Sequence, residues 1–227
     1  METTNFWDTF LPQPILYIGR CEFNSKQQVA TDVKTYIMPN DLIVQAVVKK
    51  HGFSIVDNDT AVYNIQRWLM GFITYVTDQR EDGVPEFWNF PFETLQRPLG
   101  DCDEGAILMA TMMIASGVPS ERVRVVAGNV RENANSPWEG HCYCAYKASD
   151  DQWRIIDWCF LADPQLRPLQ KPLAKDGGTN GCYGEAWFVF NDQGSWAPAP
   201  TTMASRATSM IFEQQTSSLL TQLLTKM

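Results

Sequence analysis

Residues 87–119 read FWNFPFETLQRPLGDCDEGAILMATMMIASGVP. The run AILMATMMIA within it is apolar around the whole circumference of a helix, so that helix has to be buried. Asp101 and Glu104 have the spacing of a capping box, with Asp in place of the usual Ser or Thr. Gly117 and then Pro119 stop the segment. A helix from Asp101 or Cys102 to about Ser116 follows. Cys102 then lies in the first turn, where free backbone N–H groups and the helix dipole stabilise a thiolate. The same N–H groups can stabilise an oxyanion on a carbonyl that the sulfur attacks. Asp101, Asp103 and Glu104 act the other way and raise the thiol pKa, so a neighbouring imidazolium has to do much of the activating.

Working outward, residues 79–100 carry three prolines, two glycines and four aromatics and read as a loop that walls a cleft. Upstream, Asn40 precedes DLIVQAVVKK, a capped helix that ends at His51-Gly52. A second helix starts after Asp59, with Val62, Ile65, Leu69, Phe72, Ile73 and Val76 on one face. Residues 1–25 read as irregular or weakly stranded. Downstream, VRVVAG (123–128), HCYCAYK (141–147), WRIID (153–157) and EAWFVF (185–190) read as strands. The polar ASDD between the second and third of these makes a hairpin. Residues 161–185 are mostly loop. From Thr201 the chain changes: Ile211, Phe212, Leu219, Leu220, Leu223 and Leu224 outline an amphipathic helix that packs on the body or on a partner.

The chain has two histidines. His51, after two lysines and before Gly52, suits a helix C-terminus. His141 opens a strand, and it is the imidazole available to a nucleophile. If 141–147 pairs with 151–157 across a three-residue turn, His141 stands directly opposite Asp157. Their Cβ atoms are then roughly 4.5–5.5 Å apart. A carboxylate there accepts one ring N–H, fixes the tautomer and leaves the other nitrogen for the thiol. Cys142 and Cys144 should point to the opposite face, into the core.

These segments, in the order Cys, His, Asp, resemble the transglutaminase-like superfamily: GDC opening a buried helix, GHCYCAYK bringing the histidine, and WRIIDWC ending a strand at the aspartate. The helix with Tyr75 and Asp78 resembles the one that precedes that core. The resemblance spans about residues 40–160 and is closest to the bacterial and phage cysteine-protease type. It implies an α+β fold of the papain-like kind, with the nucleophile helix packed on an antiparallel sheet. It also implies acyl transfer through a Cys102 thioester, with His141 as base and Asp157 as its orienter. The Cys102 backbone N–H would supply half of the oxyanion hole, and Gln96 or Trp88 the other half. Trp138 would wall the cleft. Peptide or isopeptide hydrolysis is the expected reaction. Protein-glutamine transamidation differs only in the acceptor, and a non-catalytic structural or assembly protein, viral in origin, is the rival reading.

Composition bounds the rest. The 227 residues suit one catalytic domain over 1–200, with its core at about 40–190 and a tail over 201–227. Net charge is -8 with no basic patch, which points away from nucleic acid and toward a protein or peptide substrate. No apolar run approaches the ~20 residues of a membrane span, and the first residues lack the basic start of a signal peptide. A cytoplasmic protein with six reduced cysteines is expected, or a virion-associated one if viral. No cofactor is expected. Cys142, Cys144, Cys159 and Cys182 lack the C-x2-C spacing of a zinc knuckle. Helix capping accounts for the acids at 101, 103 and 104 more simply than a cation does.

Overall fold

A computed structural model describes residues 9–22, 25 and 27–199. The tail expected over 201–227 lies outside the described residues. The compact unit that holds everything below ends at Ala197.

Among the described residues, ten strands and five α-helices follow in order: β1 (Phe10–Pro12), β2 (Leu16–Cys21), β3 (Gln28–Asp32), α1 (Leu42–His51), α2 (Asn58–Phe72), β4 (Thr74–Tyr75), α3 (Asp78–Glu81), α4 (Pro91–Gln96), β5 (Leu99–Gly100), α5 (Cys102–Ala115), β6 (Val123–Val130), β7 (Glu139–Lys147), β8 (Trp153–Ile156), β9 (Tyr183–Phe190) and β10 (Ser195–Pro198). The main sheet runs β1-β10-β9-β6-β7-β8, and β6 pairs antiparallel with both β7 and β9. This is the expected α+β arrangement with an antiparallel sheet.

Helix α5 lies between that sheet and the other helices. It packs on β6 and β7 on one side and on α1, α2 and α4 on the other. Cys142, Cys144 and Tyr146 of β7 join its core, together with Val44, Val62, Ile65 and Leu69 from α1 and α2. Tyr143 and Ala145 alternate onto the opposite face, in a second cluster with Trp153, Ile155, Tyr183 and Val189. The period of two along β7 therefore sends its cysteines to the helix and its other residues to the far layer.

The caps explain the helix limits. Asp41, not Asn40, caps α1 by accepting from Ile43 and Val44 N–H, and Gly52 closes it at φ 69. Asp57 caps α2 through Thr60 N–H, so that helix starts before Asp59. It ends at Phe72, which leaves Tyr75 in β4 and Asp78 in α3 rather than on one preceding helix. The loop expected at 79–100 contains α4. Pro91 presets its first turn, and the Glu93 carboxylate accepts Phe90 N–H at 2.7 Å.

The hairpin register also differs from the expected one. Cys144 pairs with Ile156 and Lys147 with Trp153, so partners sum to 300 rather than 298. The turn is displaced by one position, to residues 149–151: Ala148 N–H reaches Gln152 C=O, and Asp151 takes φ 59. Arg122 clamps it through the carbonyls of Lys147 and Ala148 and the Asp151 carboxylate. The slip is two residues, so Asp157 keeps its face and becomes a diagonal neighbour of His141.

Gly105 shows how tightly α5 is packed. A Cβ there would meet Trp158 Nε1 at 2.1 Å. That indole N–H donates to the Cys102 carbonyl at 3.3 Å, so the close approach supports the first turn of α5. In an open helix Gly→Ala stabilises by up to ~1 kcal/mol. Here Gly105→Ala is expected to destabilise by ~1–3 kcal/mol through overpacking, read as a lower urea midpoint. A midpoint at or above wild type would show that Trp158 is free to move.

Candidate active site

Three elements meet at the site. The α5 N-terminus carries Cys102, β7 carries His141, and the segment after β8 carries Asp157. His141 Nε2 lies 2.6 Å from Asp157 Oδ2, with both residues buried. The partly buried Cys102 thiol accepts a hydrogen bond from the backbone N–H of Cys142, the residue after His141. Burial pushes that thiol well above its usual pKa, with Asp101 adding to the rise; the Cys142 N–H opposes it.

Asp157 is held on every side. Its Oδ1 accepts the N–H groups of Cys159 and Phe160 at 3.1 and 3.2 Å. The Tyr183 hydroxyl lies 2.9 Å from both Asp157 Oδ2 and the Phe160 carbonyl. Gln66, on the buried face of α2, donates to the carbonyls of Asp157 and Ala162. Lys171 donates to the carbonyls of Ala162 and Asp163, and burial lowers its pKa to about 8. Leu161 and Asp163 both take positive φ in this bend. Tyr183, Gln66 and Lys171 were not singled out in the sequence. Gln66 alone left a trace there, as a polar side chain beside Ile65 on an apolar helix face.

The other residues singled out in the sequence fall as follows. Trp88 is core: its ring stacks on Tyr17 and Phe190. Its indole N–H is donated to Glu86 at 2.7 Å, which takes it out of the oxyanion role. Gln96 is exposed at the end of α4. Trp138 is 44% exposed, under the Arg131 guanidinium and three residues before His141. Cys142, Cys144 and Cys182 are buried, and among the described residues they form no donor group with Cys159.

Capping explains only some of the acids. Glu104 accepts Asp101 N–H at 2.8 Å and Asn89 N–H at 3.0 Å. Asp78 accepts Phe87 N–H at 2.5 Å. Asp103, 3% exposed, has an Oδ2 that meets no donor. Oxygens of Asp78, Asp101 and Glu104 lie within 4.8 Å of one another, as do those of Asp78, Glu86 and Asp103. Burial and mutual repulsion raise Asp78 to about 8 and Glu104 to about 7, and push Asp103 well up. The oxygen-only donor set fits a hard divalent cation.

Among known proteins, no curated sequence matches. Of solved structures, EGTA-treated Legionella pneumophila LapG is 17% identical, with TM-score 0.48, covering 70% of this chain and 85% of its own. The calcium-bound form of LapG is 18% identical, with TM-score 0.44, covering 63% and 71%. A putative cysteine protease from Cytophaga hutchinsonii is 16% identical, with TM-score 0.43, covering 74% and 54%. Likenesses this loose carry nothing about activity. The sequence itself is more specific: residues 50–158 match the transglutaminase-like superfamily, a span that includes Cys102, His141 and Asp157. Over those residues this chain is similar to the transglutaminase-like superfamily.

Proposed function

We propose that the protein is a thiol-dependent acyl-transfer enzyme that hydrolyses peptide or isopeptide amides. The observation that carries this reading is the 2.6 Å His141–Asp157 contact, beside a thiol held on the N–H of the next residue. Asp157 accepts the Nε2 proton of His141, which leaves Nδ1 as the base. His141 takes the Cys102 proton as sulfur attacks the amide carbonyl, then returns it to the leaving amine. A thioester remains. Water attacks it, His141 accepts a proton from that water, and the carboxylic acid leaves as the thiol re-forms. The backbone N–H of Cys102 supports the oxyanion at the helix N-terminus, and Gln96 is the remaining side-chain candidate for the second donor.

Digestion of a peptide library in ¹⁸O-water, read by mass spectrometry, tests this. Cleavage with ¹⁸O in the new carboxylates is expected. Cys102→Ala should abolish it, and Asp157→Asn should slow it by ~10²–10⁴-fold. Amine adducts in place of ¹⁸O would make the enzyme a transamidase. Cleavage by Cys102→Ala at the wild-type rate would rule out the thioester.

The carboxylates behind Cys102 support a second part of the reading. Protons or a cation are needed among them, because buried like charges cannot all stay ionised unaided. We infer that Asp78, Glu86, Asp101, Asp103 and Glu104 hold a hard divalent cation such as Ca²⁺. When bound it would neutralise these acids and steady the first turn of α5. Without it, Asp78 binds its proton more tightly folded, at about 8 against the usual 3.8. Glu104 does the same, at about 7 against 4.5. Their contribution to stability is then fully present below about pH 4 and lost as pH rises toward about 8. Thermal melts in chelator should therefore show a lower Tm at pH 7.5 than at pH 5, and Asp78→Asn should flatten that slope. A Tm that rises over this range would contradict the assignment.

Free Ca²⁺ at 100 times its Kd should stabilise by about 2.7 kcal/mol, roughly 5–10 °C in Tm. Asp103→Asn should remove that increment. If Ca²⁺ leaves the wild-type Tm unchanged, the acids share protons instead.

A further inference from the structure

The mechanism above leaves Cys159 unused, yet the chain aims it at the triad. The β7–β8 ladder ends at Ile156, three residues before Cys159. Asp157 then fixes the bend: its Oδ1 accepts Cys159 N–H at 3.1 Å, and the Cys159 sulfur lies 3.8 Å from the same oxygen. A His141 ring nitrogen, an Asp157 oxygen and the Cys159 sulfur all lie within 4.8 Å of one another. His141 and Asp157 are buried, while Cys159 is exposed. The group therefore lies at the edge of the buried pair, on an exposed residue.

This donor set differs in kind from the carboxylates behind Cys102. One sulfur, one nitrogen and one oxygen suit a borderline-soft ion with tetrahedral preference. Zinc bonds of about 2.3 Å to sulfur and 2.0–2.2 Å to nitrogen and oxygen set tetrahedral donors about 3.3–3.6 Å apart, so the sulfur closes in while the 2.6 Å His141–Asp157 pair opens. Three protein ligands leave a fourth position for water.

We propose that Cys159, His141 and Asp157 form a site for a zinc-type divalent cation, and that its occupancy holds the enzyme idle. On binding, the Cys159 S–H bond breaks, its proton passes to solvent and a sulfur–metal bond forms. The proton on His141 Nε2 passes by way of solvent to Nδ1, and the freed Nε2 lone pair and an Asp157 oxygen displace water from the ion. An imidazole engaged this way no longer accepts the Cys102 proton. The inhibition rests on the amide-hydrolase reading, whereas the binding does not.

Cobalt(II) is the probe, because a thiolate on cobalt gives a near-ultraviolet charge-transfer band that oxygen ligands do not. The full chain is titrated with CoCl₂ in excess Ca²⁺, which occupies the carboxylates. A 1:1 band is expected in wild type and in Cys102→Ser, and its loss in Cys159→Ser and Cys159→Ala, with folding of each variant checked by circular dichroism. A band that survives in folded Cys159 variants, or none in wild type at micromolar cobalt, overturns the site. With a cleaved peptide in hand, Zn²⁺ should inhibit wild type, and Cys159→Ser should need at least ten times more. Equal sensitivity overturns the regulatory role. If the band behaves as expected and no peptide is cleaved, the site stands and the hydrolase reading fails.

Discussion

Burial of α5 on all sides is the constraint from which the site follows. A helix apolar around its circumference cannot face water on any side, so it must sit between a sheet and other helices. Here β6 and β7 cover one side and α1, α2 and α4 the other. Its N-terminus, with its free N–H groups, then emerges beside the start of β7. Cys102 in the first turn and the start of β7, with His141, are thereby brought together by packing. The thiol's bond to Cys142 N–H is where the two elements meet. Gly105 sharpens the fit, since it lets Trp158 reach the Cys102 carbonyl.

The same burial has an electrostatic cost. Five carboxylates gather around a helix start that is largely closed to water. Hydrogen bonds from Asn89, Asp101 and Phe87 N–H groups satisfy Glu104 and Asp78. Asp103 Oδ2 has no such donor. A core of this size tolerates the charges only if protons or a cation offset them. The state of these acids and the state of the thiol are coupled through Asp101, whose charge raises the Cys102 pKa.

Past the end of the edge strand β8, polar contacts do what apolar packing does for α5. After Ile156 the chain leaves the β-ladder and bends through two positive-φ residues. Tyr183, Gln66 and Lys171 hold that bend by its carbonyls and by the Asp157 carboxylate. They come from β9, from α2 and from the loop between β8 and β9. Asp157 is held against His141 because three distant segments fix the turn it sits on.

The sequence by itself determined the elements whose causes are local. The α5 helix follows from its apolar run, its Asp101–Glu104 cap and the Gly117–Pro119 stop. The strands follow from β-branched and aromatic runs, and the order Cys102, His141, Asp157 pointed to the superfamily that residues 50–158 match. Only the tertiary structure decided what depends on distant partners. The hairpin register moved by two because Arg122 stabilises a turn placed one residue further along the chain. Trp88 went to the core because Tyr17, Phe190 and Glu86 hold it there. Asp78 left its expected helix and joined Asp101 and Glu104. Tyr183 and Lys171 carried no local signal, since their role lies in which backbone carbonyls and which carboxylate they reach. Spacing along a chain encodes a helix face or a strand face, and the meeting of two faces is set by how the layers pack.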